Sequence, residues 1–174
     1  MRRYASYGPT DRYAPAPAAG MCISVFAVIR REGRLLMGVP RDEKKWISEW
    51  VPNWGFYSEK DLRSEFRRWR LPSGYLLEGE HPDAAVERVV RDQLRADPSP
   101  PSTRTVLSYS TPSDWYPGSD HWDLVFVYEL EIGGPAARPP WWKELRFLTR
   151  SELDGADLGW NDDLMRDLGL VSRR

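Results

Sequence analysis

Apolar and polar positions divide the chain into a series of strands with a few helices between them. Met21 to Ile29 (MCISVFAVI) is nearly continuous in apolar and β-branched residues, the pattern of a buried strand. Arg30-Arg31-Glu32-Gly33 breaks the run as a turn, and Arg34 to Val39 (RLLMGV) returns as the second arm of a hairpin. Leu71 to Leu77 reads as a strand broken by Pro72, Ser73 and Gly74. His81-Pro82-Asp83 opens a helix to about Arg95, with Pro82 in the first turn, where its missing N–H is not needed. The segment from Ala96 to Pro101 stops that helix. Strands are predicted at about 103–110 and 122–131, with a polar loop over 111–121. Leu145 to Leu148 is a short strand, Ser151 starts a helical turn, and Asn161 caps a last helix to Leu168. Strands mixed with helices, not strictly alternating, predict an α+β sandwich.

Two stretches stand outside this pattern. Residues 1–20 are rich in Tyr, Ala, Pro and Gly without periodicity, which predicts a flexible tail before a single domain over 21–172. Residues 44–70 read as an insertion in that domain. Trp46, Trp50 and Trp54 recur every four residues there, but Pro52 and Gly55 argue against one long helix. Ser58 is placed to cap a helix through about Trp69, which carries Arg63, Arg67 and Arg68, with Arg70 just after it. Those arginines are either a solvated face paired with Glu59 and Glu65 or a lid offering guanidiniums to phosphate.

Composition narrows the function. The 174 residues carry a net charge of −1, which disfavours bulk nucleic-acid binding. No apolar run approaches the ~20 residues of a membrane span. A single cysteine makes neither an intramolecular disulfide nor a Cys-based zinc site. Arg2 and Arg3 are not followed by an apolar stretch, so no secretory signal is read and the cytoplasm is expected. The nine tryptophans fill cores first, although Trp46, Trp50, Trp54 or Trp115 could sandwich a flat base.

Residues 74–96 (GYLLEGEHPDAAVERVVRDQLRA) carry the candidate chemistry. On a helical wheel the apolar arc takes Val86, Val89, Val90 and Leu94, while Glu87, Arg91 and Arg95 face away. Gln93 falls inside the arc, so its amide must be hydrogen-bonded or face a cavity. Val89, Asp92 and Gln93 share one edge of the helix, and Arg88 and Asp92 are spaced to pair across a turn.

This run resembles the Nudix box, in which a Gly is followed after five residues by Glu and after seven more by Arg-Glu, an aliphatic, any residue and Glu-Glu. Gly74, Glu80 and Arg88 agree with it in identity and spacing, and the lead-in WRLPSGYLLEGEHPDAA and the close ELRFLTRSEL resemble the family as well. The resemblance covers about residues 21–170 and implies a mixed-sheet α/β/α sandwich. It implies hydrolysis of a nucleoside diphosphate linked to another moiety, with Mg²⁺ or Mn²⁺ held by glutamates. Here Val89 replaces the glutamate after Arg, Asp92-Gln93 replaces the Glu-Glu pair, and Arg95 stands where a Gly is usual.

Three anions are thus reduced to one, so the cation site is expected to be weakened. The resemblance then assigns Asp92 and the Gly74 carbonyl as metal ligands, Glu80 as the brace of the loop, and Arg88 as the group orienting Asp92. Replacement ligands are sought among Glu78, Glu87, Asp120, Asp123 and Glu129, and His121, read as a loop residue, is a candidate base. The alternative is a Nudix-shaped module that binds a nucleotide-like ligand or a partner without hydrolysis. A homodimer through the aromatic insertion is a further option. Both main readings expect the 89–92–93 edge to line a phosphate-sized hollow.

Overall fold

The computed structural model describes residues 21–42, 63–64, 66–112 and 120–172. The proposed tail, the tryptophans at 46, 50, 54 and 115, Ser58, Glu59 and Glu65 lie outside them. The central strand β1 (Met21–Arg31) runs parallel to β6 (Asp120–Leu130) over nine paired positions, from Met21 opposite Trp122 to Ile29 opposite Leu130. Its end folds back onto β2 (Arg34–Pro40) through Glu32 and Gly33, whose φ values of 51° and 73° are those of a tight hairpin turn of the I′ kind. On the same side, β3 (Ser73–Tyr75) pairs antiparallel with Ser24, Val25 and Phe26. Strand β5 (Ser102–Pro112) lies outside β6, and β8 (Trp142–Leu148) lies outside β2. Two short strands, β4 (Asp97–Pro98) and β7 (Ile132–Gly133), pair separately.

Helices cover both faces, which is why β1 reads as a continuous apolar run rather than an alternating one. Val25, Ala27 and Ile29 pack with Ala85, Val86, Val89, Val90 and Leu94 of α1 (Pro82–Leu94). Val28, with Val125 and Val127 of β6, packs on the other face against Leu153 of α2 (Arg150–Asp154) and Leu164 and Met165 of α3 (Asp162–Asp167). The expected α/β/α sandwich is the observed fold. Gly38 lets the sheet close at its edge: a Cβ there would lie 2.5 Å from the ring of the fully buried Trp142.

Several predicted elements shift. β3 keeps only three residues, because Pro72 has no N–H to pair. β5 and β6 reach into the predicted polar loop at both ends, and His121 is therefore a strand residue. β8 begins at Trp142 rather than Leu145. Helix α1 starts as expected, with His81 Nδ1 accepting from the Asp83 N–H at 3.2 Å. Thr149 and Glu152 form a capping box on α2, and the Thr149 N–H, with Arg146, holds the Glu152 carboxyl down at about 2. Asn161 stands at the expected N-cap position of α3. It closes a 3₁₀ turn, and its side chain makes no capping bond.

Candidate functional site

The loop from β3 into α1 is braced by one ion pair. Gly79 turns the chain at φ 76°, which brings Glu80 back toward its own strand. Glu80 Oε1 and Oε2 accept from Arg88 Nε and Nη2, both at 2.7 Å, in a two-pronged carboxylate–guanidinium pair. Oε2 also accepts the Leu77 N–H at 2.8 Å, and Arg88 Nη2 donates to the Tyr75 carbonyl at 2.9 Å. The Arg88 guanidinium holds the Glu80 carboxyl below its ordinary range; burial opposes this and the Leu77 N–H assists it. Glu80 in turn raises Arg88. Glu80 and Arg88, matched to the motif by spacing alone, therefore meet. The expected Arg88–Asp92 hydrogen bond does not form, because the guanidinium is committed to Glu80 and Tyr75; Asp92 contributes only a through-space attraction.

The 89–92–93 edge departs from expectation more sharply. Val89 is 2% exposed and belongs to the core cluster with Val25, Ala27, Ile29 and Leu36. Its Cγ2 would lie 3.0 Å from a Cβ at position 74, so Gly74 is the residue that lets helix and strand approach. Gln93 satisfies its amide on the Ser73 backbone: Oε1 accepts the Ser73 N–H at 3.2 Å and Nε2 donates to the Ser73 carbonyl at 2.6 Å. The Gln93 carbonyl accepts the Trp142 indole N–H at 2.7 Å. Asp92 alone points to solvent. Among the described residues, Val89 is packed into the core and half-buried Gln93 is bonded to β3, so Asp92 is the one member of this edge that is exposed. The wheel placed Gln93 among apolar neighbours and required it to be bonded, but the sequence could not show that its partner is a backbone twenty residues away.

Divalent magnesium takes oxygen ligands, most often carboxylates and waters. Val89 offers none, both Gln93 amide groups are used, and both Glu80 oxygens face Arg88. The residues present on this edge do not fit several cations, and Asp92 is the one carboxylate left. Most of the proposed replacement ligands are engaged by other side chains. Glu87 pairs with Arg91 at 2.9 Å, Glu129 pairs with Arg30 and Arg104, Asp120 accepts from Ser110 Oγ at 3.1 Å, and Glu78 is exposed. Asp123 does join a cluster, with Cys22 and His121, but on the sheet face opposite α1.

The arginines before β3 find partners in the body of the domain. Arg67 Nε donates to Asp42 Oδ2 at 2.7 Å, Arg63 to the Asp42 carbonyl at 2.9 Å, and Arg68 to Asp157 Oδ2 at 3.1 Å. Arg67 pulls the Asp42 carboxyl below its ordinary range. Arg70 is buried and stacks on Phe66 at 5.0 Å. Asp42 and Asp157 are thus partners of these arginines, whereas the expected partners Glu59 and Glu65 lie outside the described residues.

A strand–loop–helix braced by a Glu–Arg pair, inside a mixed sheet with helices on both faces, defines the Nudix fold. Solved structures agree. The MutT protein of Methanosarcina mazei superposes with a TM-score of 0.60 at 15% identity, over 86% of this chain and 94% of that one. The ORF135 protein of E. coli gives 0.58 at 14%, covering 94% of each chain. The Nudix domain of Shewanella oneidensis NrtR, solved in complex with ADP ribose, gives 0.57 at 12%, over 94% of this chain and 92% of that one. Neither a family sequence model nor a curated protein matches the chain by sequence. The protein has the Nudix fold.

Proposed function

We propose that this domain is a Nudix-fold binding module for a nucleotide-like ligand, one that has given up multi-cation hydrolysis of pyrophosphate. The observation that carries the reading is the commitment of two positions on the helix edge: Val89 sits in the core and Gln93 ties its amide to Ser73, where the Nudix box supplies glutamates. Neutralising charge on phosphoryl oxygens is most of what catalysis of phosphoryl transfer requires, and one exposed aspartate supplies little of it. The ligand class is drawn from the NrtR Nudix domain, which shares the fold and was solved with ADP ribose. A single unpaired cysteine suits a reducing cytoplasm. Among the described residues no helix is long and apolar enough to cross a membrane.

One observation favours a second reading. The Glu80–Arg88 brace is intact and Asp92 is exposed beside it, so Asp92 and the Gly74 carbonyl could share one Mg²⁺ or Mn²⁺ and support slow hydrolysis.

The test is calorimetric titration of the full chain with ADP ribose and a panel of nucleoside diphosphates, with and without EDTA. Turnover on the same panel is followed in Mg²⁺ and Mn²⁺. Saturable binding that EDTA leaves unchanged, with no turnover, is expected. Metal-dependent turnover that Asp92→Asn abolishes would establish the hydrolase instead.

A further inference from the structure

Cys22 is about a hundred residues from His121 and Asp123 in sequence and adjacent to both in the fold. The parallel register of β1 on β6 places Cys22 directly opposite Asp123. His121 is two residues before Asp123 on the same strand, so the three side chains share one face. That face continues through Val125, Val127 and Val28 into the core beneath α2 and α3. One donor atom from each residue lies within 4.8 Å of the other two, and His121 Nε2 is 3.6 Å from Asp123 Oδ1. All three are partly buried, at the end of the core layer.

We infer that this cluster is a binding site for one zinc-like divalent cation, held by the Cys22 thiolate, a His121 imidazole nitrogen and an Asp123 carboxylate oxygen. Zinc bonds to S, N and O donors at about 2.0–2.3 Å, and tetrahedral angles then put donors about 3.3–3.7 Å apart. The His121–Asp123 separation is already in that range, and small side-chain rotations bring the thiolate in. Thiolate and imidazole select a borderline-soft ion such as Zn²⁺ over Mg²⁺, which prefers oxygen. Binding displaces the thiol proton to solvent and leaves a thiolate, a carboxylate and a neutral imidazole around the ion, which together balance its two positive charges. Three protein ligands leave a fourth position for water or an incoming group. A single cysteine cannot build a centre on several thiolates, but the strand pairing supplies a mixed one that sequence order conceals. The site lies on the sheet face opposite α1 and uses none of the residues of the Nudix helix.

The chain's composition makes the test unambiguous, because Cys22 is its one cysteine and His81 its other histidine. The reduced full chain is titrated with Co²⁺. One equivalent is expected to give a thiolate-to-cobalt charge-transfer band with intense tetrahedral visible bands, displaced by one equivalent of Zn²⁺. Cys22→Ser should abolish the charge-transfer band, and His121→Gln or Asp123→Asn should weaken Co²⁺ binding by more than about tenfold. His81→Gln should change nothing. Circular dichroism checks that each variant is folded, and the wild-type titration stands even where one is not. No charge-transfer band in the wild type would overturn the site. So would half-equivalent stoichiometry, which marks two thiolates bridging two chains, or a band indifferent to both His121→Gln and Asp123→Asn.

Discussion

Replacing Gln93 by Glu restores one carboxylate of the Nudix box and separates a structural seam from a cation cradle. In the folded domain Gln93 Nε2 donates to the Ser73 carbonyl at 2.6 Å. A carboxylate cannot donate, so the variant loses that bond and sets two acceptor oxygens against each other. A lost neutral hydrogen bond costs about 1 kcal/mol, and an unsatisfied partner about 1–3 kcal/mol. The retained Ser73 N–H bond, now to a charged acceptor, offsets part of this, and about 1–3 kcal/mol remains at pH 8. Protonation returns a donor, so the introduced carboxyl has a folded-state pKa about one to two units above its unfolded ~4.3. The destabilisation is therefore full above the folded pKa and fades as pH falls toward the unfolded one. Urea unfolding of wild type and variant at pH 8 and pH 4.5 reads this directly. With a slope of about 2 kcal/mol/M the midpoint should fall by ~0.5–1.5 M at pH 8 and nearly recover, relative to wild type, at pH 4.5. Equal midpoints at pH 8 would refute the reasoning. A deficit that millimolar Mg²⁺ repairs would refute it equally, since the carboxylate would then face a cation.

Three further predictions use other parts of the seam and sheet. Val89→Glu places an acid in a 2%-exposed position among aliphatic side chains, and each unit by which burial raises its pKa costs about 1.4 kcal/mol. It should unfold at markedly lower urea concentration and gain no metal-dependent hydrolysis, whereas a well-folded variant with such activity contradicts the packing of Val89. Glu80→Gln weakens two 2.7 Å charge-assisted bonds and should cost about 1.5–3 kcal/mol at pH 7 by urea unfolding. Because Glu80 is held below its ordinary range, wild type has this contribution above the unfolded pKa and loses it as pH falls through the folded one, so the two proteins should converge in acid. Gly38→Ala drives a Cβ to 2.5 Å from the Trp142 ring and should cost about 1–3 kcal/mol, with a change in tryptophan fluorescence; an unchanged midpoint would mean that β8 yields freely.

How much was legible depended on whether the signal was local. The apolar run of β1, the Glu32-Gly33 turn and the Pro82 start of α1 are written in neighbouring residues, and each stands close to where the sequence placed it. The Glu80–Arg88 pair was legible because a known motif fixes its spacing. The fate of Val89 and Gln93 was not, because it depends on β3 packing against α1 across twenty residues. A helical wheel shows which face is apolar; it does not show whether the edge of that face meets solvent or a strand. The Cys22–His121–Asp123 cluster was hidden for the same reason. It needs the parallel pairing of the first long strand with a strand about a hundred residues later, which no local pattern announces. Asn161 was placed at the N-cap of the last helix, where it stands, but the sequence did not show that it also closes a 3₁₀ turn and makes no side-chain capping bond.

The central claim is that packing takes up Val89 and hydrogen bonds take up Gln93, so that the edge, left with Asp92 alone, does not gather divalent cations. Titrating Mn²⁺ into the isotopically labelled full chain, and following paramagnetic broadening of each backbone amide resonance, tests it most directly. Amides of Val89, Asp92, Gln93 and Gly74 should keep their intensities at substoichiometric Mn²⁺. Selective, saturable loss of those four signals would contradict the account and restore the helix as a metal site.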